Sequence, residues 1–287
     1  MIDVMIGRGM DADQDPANTT PPLASSTILL LRDGPDGLEV FMVERSGEIG
    51  AFPGAMVFPG GKVVPEDSSP ELRALADNAD GLDDEAFGFG VASVREAFEE
   101  CGMLLARRDG MTLTDVELAP LVDYRGAIGR SEIPFARFLT DHDLRLDMSD
   151  PVPFSRWVTP VFSLKRFDTM FFLAPVPYNQ TLSHDGNETV KGLWMRPQEV
   201  IEAADKHLKH SLYFATRLNL MDIAFSDTVA NAMARVDGRR PPYVMPWREM
   251  TDDGPRLKID PDAGYTLVET TFDEARGVKP LSPARIA

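Results

Sequence analysis

The chain has 287 residues, 43% of them hydrophobic and 26% charged, a balance that supports a buried core and argues against a disordered polymer. Its net charge of −17 argues against binding a nucleic-acid backbone, yet leaves room for a small polyphosphate if bound metal inverts the local field. The lone cysteine, Cys101, excludes an intrachain disulfide framework and fits a reducing compartment.

Residues 1–22 are polar, punctuated by Gly, Asp and Pro, and read as a loose arm. The β-branched and apolar run 25–31, the turn Asp33-Gly34-Pro35-Asp36-Gly37 and the run 38–44 predict a hairpin. A third strand is expected around 55–58, ahead of Pro59-Gly60-Gly61. Adjacent glycines there let the backbone approach a ligand closely and leave a carbonyl for a metal. An acidic insertion at about 67–85 carries a short helical stretch around 70–79.

Apolar residues recur every three to four positions over 86–107, which predicts a long helix capped by Asp83 or Asp84. Loop and helix are expected over 118–124 and 134–139. The continuous apolar run 170–176 fits a buried strand. Residues 184–191 read as a polar loop, 192–195 as a short strand, Arg196-Pro197-Gln198-Glu199 as a helix start, and 211–229 as another long helix. Residues 231–287 are expected to form a β-rich extension packed on a main domain at 23–230. No apolar run is long enough to span a bilayer. No secretory signal or peroxisomal C-terminal address is seen, so a cytoplasmic location is expected by default.

The chemistry concentrates on the predicted helix. Glu96, Glu99 and Glu100 stand at i, i+3 and i+4, so their carboxylates share one face. Like charges at that spacing repel. A divalent cation relieves the repulsion, and all-oxygen ligands select hard ions such as Mg²⁺ or Mn²⁺. Arg95 is placed to orient the cluster through its planar fork. The plain alternative is a solvated acidic face, against which stand Ala97, Met103 and Leu104 among the charges. Cys101 fits burial better than nucleophilic use, because neighbouring glutamates raise a thiol pKa.

Arg95-Glu96-Ala97-Phe98-Glu99-Glu100-Cys101-Gly102, with Pro59-Gly60-Gly61 upstream, resembles the Nudix box. The helical half matches at every charged position and at its glycine. In the first half the box glutamate falls on Asp67 counted from Gly61 and on Glu66 counted from Gly60. The spacer to Arg95 is also far longer than usual. The long insertion, Trp157-Val158-Thr159-Pro160, Arg166-Phe167-Asp168-Thr169, Trp194-Met195-Arg196-Pro197 and Thr216-Arg217-Leu218-Asn219-Leu220 look like the branch that includes peroxisomal coenzyme A diphosphatases and bacterial relatives. The resemblance covers roughly 25–230.

It implies an α/β/α sandwich around a mixed sheet, here with an insertion and a C-terminal extension, and metal-dependent hydrolysis of a nucleoside diphosphate linked to another group. Gly60, through its carbonyl, and Glu96, Glu99 and Glu100 become the metal ligands, for Mg²⁺ or Mn²⁺, with Arg95 beside them. Glu188, in the polar loop where the family often carries a glutamate, becomes the general base; His184 nearby reads better as a surface histidine. Arg45, Lys62 and Arg166 are candidate phosphate contacts and Phe167 a candidate base-stacking residue. For the last two, core packing of Phe167 and an Arg166–Asp168 ion pair are the competing reading. Coenzyme A or its acyl esters lead as substrate, with ADP-ribose or NADH as the alternative and a non-catalytic ligand-sensing module as a third. Dimerisation enters only as a family-level expectation.

Overall fold

The computed structural model describes residues 20–45, 55–182, 189–206 and 211–277. In chain order, the hairpin β1 (Leu23–Gly34) and β2 (Gly37–Arg45) precedes two short strands, β3 (Met56–Val57) and β4 (Gly60–Lys62). The insertion forms α1 (Pro70–Ala74) and β5 (Ala76–Asp77), and α2 (Asp84–Cys101) is the long helix. There follow β6 (Ala106–Arg108), β7 (Met111–Thr112), α3 (Asp115–Leu118), α4 (Arg125–Gly129), α5 (Phe135–Asp141) and β8 (Arg145–Asp147). Next come β9 (Val152–Val158), β10 (Phe167–Pro175), β11 (Thr189–Met195), α6 (Pro197–Asp205), α7 (Phe214–Ile223) and α8 (Val229–Val236). The chain closes with β12 (Tyr243–Val244), β13 (Trp247–Thr251), β14 (Gly254–Lys258), β15 (Glu269–Thr271) and α9 (Phe272–Ala275).

Among the described residues the main sheet has the order β11-β2-β1-β10-β9-β12, with β3 paired to β2 and β4 to β1. It is mixed: β1 runs parallel to β10 and antiparallel to β2. Strand β1 is central because Ile28, Leu29, Leu30 and Leu31 are all fully buried, and a strand apolar on both faces needs cover on both. Successive residues point to opposite faces. Ile28 and Leu30 pack with Phe87, Val91, Val94 and Phe98 of α2. Leu29 and Leu31 join Val200 of α6, Phe214 and Leu218 of α7, and Val236 of α8. Helices on both faces of one mixed sheet make the expected α/β/α sandwich.

Two predicted helices are shorter than their periodicity. Asp83 caps α2, its Oδ1 accepting the N–H of Ala86 at 2.8 Å. The helix then stops at Cys101, because Gly102 adopts the left-handed conformation (φ 71°) and returns its N–H to the Phe98 carbonyl at 2.9 Å. The apolar run beyond it is spent on a loop and on β6. Within the run 211–229 only α7 is helical; α8 begins at its last residue, with Thr228 as its cap accepting the N–H of Asn231 at 3.1 Å. The C-terminal stretch adds β12 to the main-sheet edge and a three-stranded sheet of β13, β14 and β15. Tyr265 joins it to the core: its hydroxyl donates to Asn219 Oδ1 at 2.8 Å and accepts the indole N–H of Trp157 at 3.2 Å. Among the described residues no helix is long and apolar enough to cross a membrane.

Candidate active site

The carboxylates of α2 face the Pro59-Gly60-Gly61 loop because β4 is laid antiparallel on β1, with Thr27 opposite Gly60 and Ser26 opposite Gly61. A Cβ at Gly60 would run into the carbonyl oxygen of Ser26 and into Thr27, so only glycine fits. At Gly61 a Cβ would collide with the carboxylate of Glu96. The paired glycines thus bring a strand edge directly against the acidic face of α2. The N–H of Gly60 donates to Glu100 Oε2 at 3.0 Å.

Arg95 organises the rest. Its Nε and Nη2 donate to the two oxygens of Asp67 at 2.8 and 3.0 Å, and Nη2 also reaches the carbonyl of Lys62 at 2.8 Å. Its Nη1 donates to Glu96 Oε1 and Glu99 Oε1, both at 2.9 Å. Asp67 is 1% exposed and is further fixed by the N–H of Val64 at 2.9 Å, whereas Glu66 is exposed. The ambiguity in the upstream half of the motif therefore resolves to Asp67 as the partner of Arg95.

One guanidinium thus serves three buried or half-buried carboxylates. Burial is the largest influence on Glu96 and pushes its pKa up to about 7; Glu99 acts in the same direction and Arg95 against it. For Arg95, burial acts to lower the pKa. The hydrogen bond to Asp67 and the fields of Glu96, Asp67 and Glu99 outweigh it and hold the guanidinium charged. The donor set is all hard oxygen with surplus negative charge, which suits a hard divalent cation. Among the described residues, however, no three acidic, His or Cys side chains converge at metal-ligand spacing. Glu96 and Glu99 are drawn to Arg95, and Glu100 is turned to the Gly60 N–H.

The remaining candidates fall in several places. Glu188 and His184 lie outside the described residues, as does the side chain of Arg45 at the end of β2. Lys62 has an exposed side chain beside the cluster and gives it only its carbonyl. Arg166 donates to the carbonyls of Thr159 and Thr20 at 3.1 and 3.3 Å, at the start of β10. Phe167 is buried, with the Lys165 ammonium 5.1 Å from its ring centre.

The expected Arg166–Asp168 pair is not what the structure shows. Asp168 is instead bound by Arg156, at 2.8 Å from Nε and 2.7 Å from Nη2, and Arg156 also reaches Glu85 on α2 at 2.8 Å. Arg156 lies opposite Met170 in the β9–β10 ladder, so it is the diagonal same-face neighbour of Asp168. Cys101 is fully buried among apolar side chains, in line with the reading that favoured burial over nucleophilic use. Arg125, whose Nε–H donates to the Glu99 carbonyl at 3.0 Å, was not marked by any pattern in the sequence.

Residues 78–215 match the family described as the NUDT19 Nudix domain. The acyl-coenzyme A diphosphatase NUDT19 of Xenopus laevis is 24% identical, over 59% of this chain and 55% of that protein. The Homo sapiens protein of the same name is 27% identical, over 58% and 56%. The chain thus spans a little over half the length of the curated relatives it matches. A solved NUDIX hydrolase from Alicyclobacillus acidocaldarius superposes with a TM-score of 0.62 at 24% identity, covering 75% of this chain and 97% of that one. That likeness establishes the fold.

Proposed function

We propose that this chain, which belongs to the Nudix superfamily, is a divalent-metal-dependent diphosphatase that cleaves coenzyme A or its acyl esters to phosphopantetheine and adenosine 3′,5′-bisphosphate. The observation that carries the reading is the Arg95-centred carboxylate cluster seated against Gly60 and Gly61. Against the ligand-sensing alternative, all three helix carboxylates, Glu96, Glu99 and Glu100, are present. The choice of substrate rests on the relatives named acyl-coenzyme A diphosphatase.

In this reading Glu96, Glu99 and Glu100, with the Gly60 carbonyl, would hold Mg²⁺ or Mn²⁺. Such an ion supplies charge neutralisation at the pyrophosphate and a more acidic water. The protein's own residues do the rest. Asp67 fixes the plane of the Arg95 guanidinium, and Arg95 in turn orients Glu96 and Glu99, two of the carboxylates that would hold the cation. Burial raises the proton affinity of Glu96, and a bound cation would favour its ionised form. Lys62 offers an exposed ammonium to a phosphate at the rim. Arg45 and Arg166 are assigned to the adenosine bisphosphate end and Glu188 to general-base duty in the loop ahead of β11, whereas Phe167, buried in the protein, is given to packing rather than to base stacking. The lone buried Cys101 agrees with a reducing, cytoplasmic setting.

The test is hydrolysis of coenzyme A, an acyl-coenzyme A, ADP-ribose and NADH with Mg²⁺ or Mn²⁺, products being identified by mass. Release of phosphopantetheine and adenosine 3′,5′-bisphosphate supports the proposal. Preferential cleavage of ADP-ribose or NADH moves the substrate assignment, and no cleavage of any of them overturns the activity.

A further inference from the structure

The short helix α4 contributes no acidic group, yet it meets Glu99 twice. Glu99 lies in the last turn of α2, where carbonyls lack an intrahelical partner. Its carbonyl accepts the Nε–H of Arg125 at 3.0 Å, and Arg125 is only 8% exposed. Four residues on, and so on the same face of α4, is Gly129. A Cβ there would stand 3.1 Å from Glu99 Oε2 and 3.6 Å from its Cδ. That is closer than ordinary van der Waals contact, so the carboxylate would have to give by a few tenths of an ångström.

Gly129 does not have a positive φ, and its backbone alone does not call for glycine. Its small size is explained by the neighbour it faces. Gly126 is the useful contrast on the same helix. A Cβ there would meet Arg130 Nη1 at 3.0 Å, the far end of a side chain that leaves the acidic cluster untouched, whereas Glu99 is already held at its other oxygen by Arg95 at 2.9 Å.

We infer that α4 is a positioning element for Glu99, with Arg125 fixing its backbone and Gly129 leaving the space its carboxylate occupies. The inference rests on the proposal that Glu99 is a ligand to the catalytic cation. It adds to that ligand a support drawn from a segment that carries none of the motif residues.

The test compares wild type, Gly129→Ala and Gly126→Ala by Mn²⁺ titration without substrate, by thermal unfolding and by steady-state kinetics on coenzyme A. Alanine is the better helix former, so neither variant loses helix propensity. Gly129→Ala is expected to weaken Mn²⁺ binding by about tenfold, the usual scale for a group that supports a ligand. It should lower kcat with KM for coenzyme A little changed, while Gly126→Ala matches wild type in all three measurements. If Gly129→Ala reduces the folded fraction, Arg125→Lys, which keeps the charge and loses the Nε donor, carries the same expectation of weaker Mn²⁺ binding. Wild-type Mn²⁺ affinity in Gly129→Ala, or equal weakening in Gly126→Ala, overturns the inference alone. Absence of Mn²⁺ binding by the wild-type protein overturns the underlying ligand assignment and the inference with it.

Discussion

Asp67 and Arg95, 28 residues apart in the chain, form a two-armed ion pair with Nε–Oδ1 at 2.8 Å and Nη2–Oδ2 at 3.0 Å. The pair lies where the insertion leaves the glycine loop, so it fastens that insertion to the acidic helix. Neutralising Asp67 leaves Arg95 still facing Glu96 and Glu99, so the cost is that of the lost charge-assisted hydrogen bonds, about 1.5–3 kcal/mol, rather than that of an uncompensated buried charge. Asp67→Asn should therefore lower stability by about that amount in chemical denaturation and reduce turnover as Arg95 loses its fixed plane. Glu66→Gln, at an exposed position, should stay within about 0.5 kcal/mol of wild type. Equal effects of the two substitutions would remove Asp67 from its assigned place.

Glu96 sets a pH dependence with a definite sign. Its pKa rises from an ordinary 4.5 to about 7 on folding, chiefly through burial. The folded state therefore holds the proton more tightly, and Glu96 makes the metal-free protein less stable as pH rises from the unfolded value to the folded one. Glu96→Gln should melt close to wild type at about pH 5, and above it at about pH 8, in the presence of a chelator. Saturating Mg²⁺ or Mn²⁺ at the higher pH should raise the wild-type melting temperature and erase that advantage. A difference between the two proteins that does not change with pH would contradict the assignment.

Gly61→Ala tests the close approach of strand and helix. Its Cβ would collide with the Glu96 carboxylate. Overpacking of this kind costs about 1–3 kcal/mol. Displacement of a catalytic group by about 1 Å costs on the order of 100-fold in rate. The expected result is a modestly destabilised, folded protein with turnover reduced by roughly that factor. Turnover equal to wild type would show that Glu96 does not need its present position.

Much of this was legible from local chemistry. The β1–β2 hairpin follows from an apolar run on each side of a Gly/Pro/Asp turn, and the shared carboxylate face from the spacing of Glu96, Glu99 and Glu100. The end of α2 was harder to place because apolar residues continue past Gly102 into a buried loop, and periodicity does not register that one left-handed residue stops the helix. The choice of Asp67 over Glu66 depends on which carboxylate is buried beside Arg95, a tertiary fact. The pairing of Asp168 with Arg156 rather than Arg166 depends on register between β9 and β10, which no single strand encodes. Arg125 and Gly129 reach Glu99 only through the packing of α4 on α2 and belong to no sequence pattern.

Glu100 offers the most direct test of the central claim, since it joins the acidic helix to the glycine loop through the Gly60 N–H. Coenzyme A hydrolysis by wild type and Glu100→Gln would be measured at saturating Mn²⁺, with thermal unfolding in parallel. The account predicts turnover by the wild-type protein, a loss on the order of 100-fold or more in the variant, and little change in melting temperature. Equal turnover by the two proteins would contradict it.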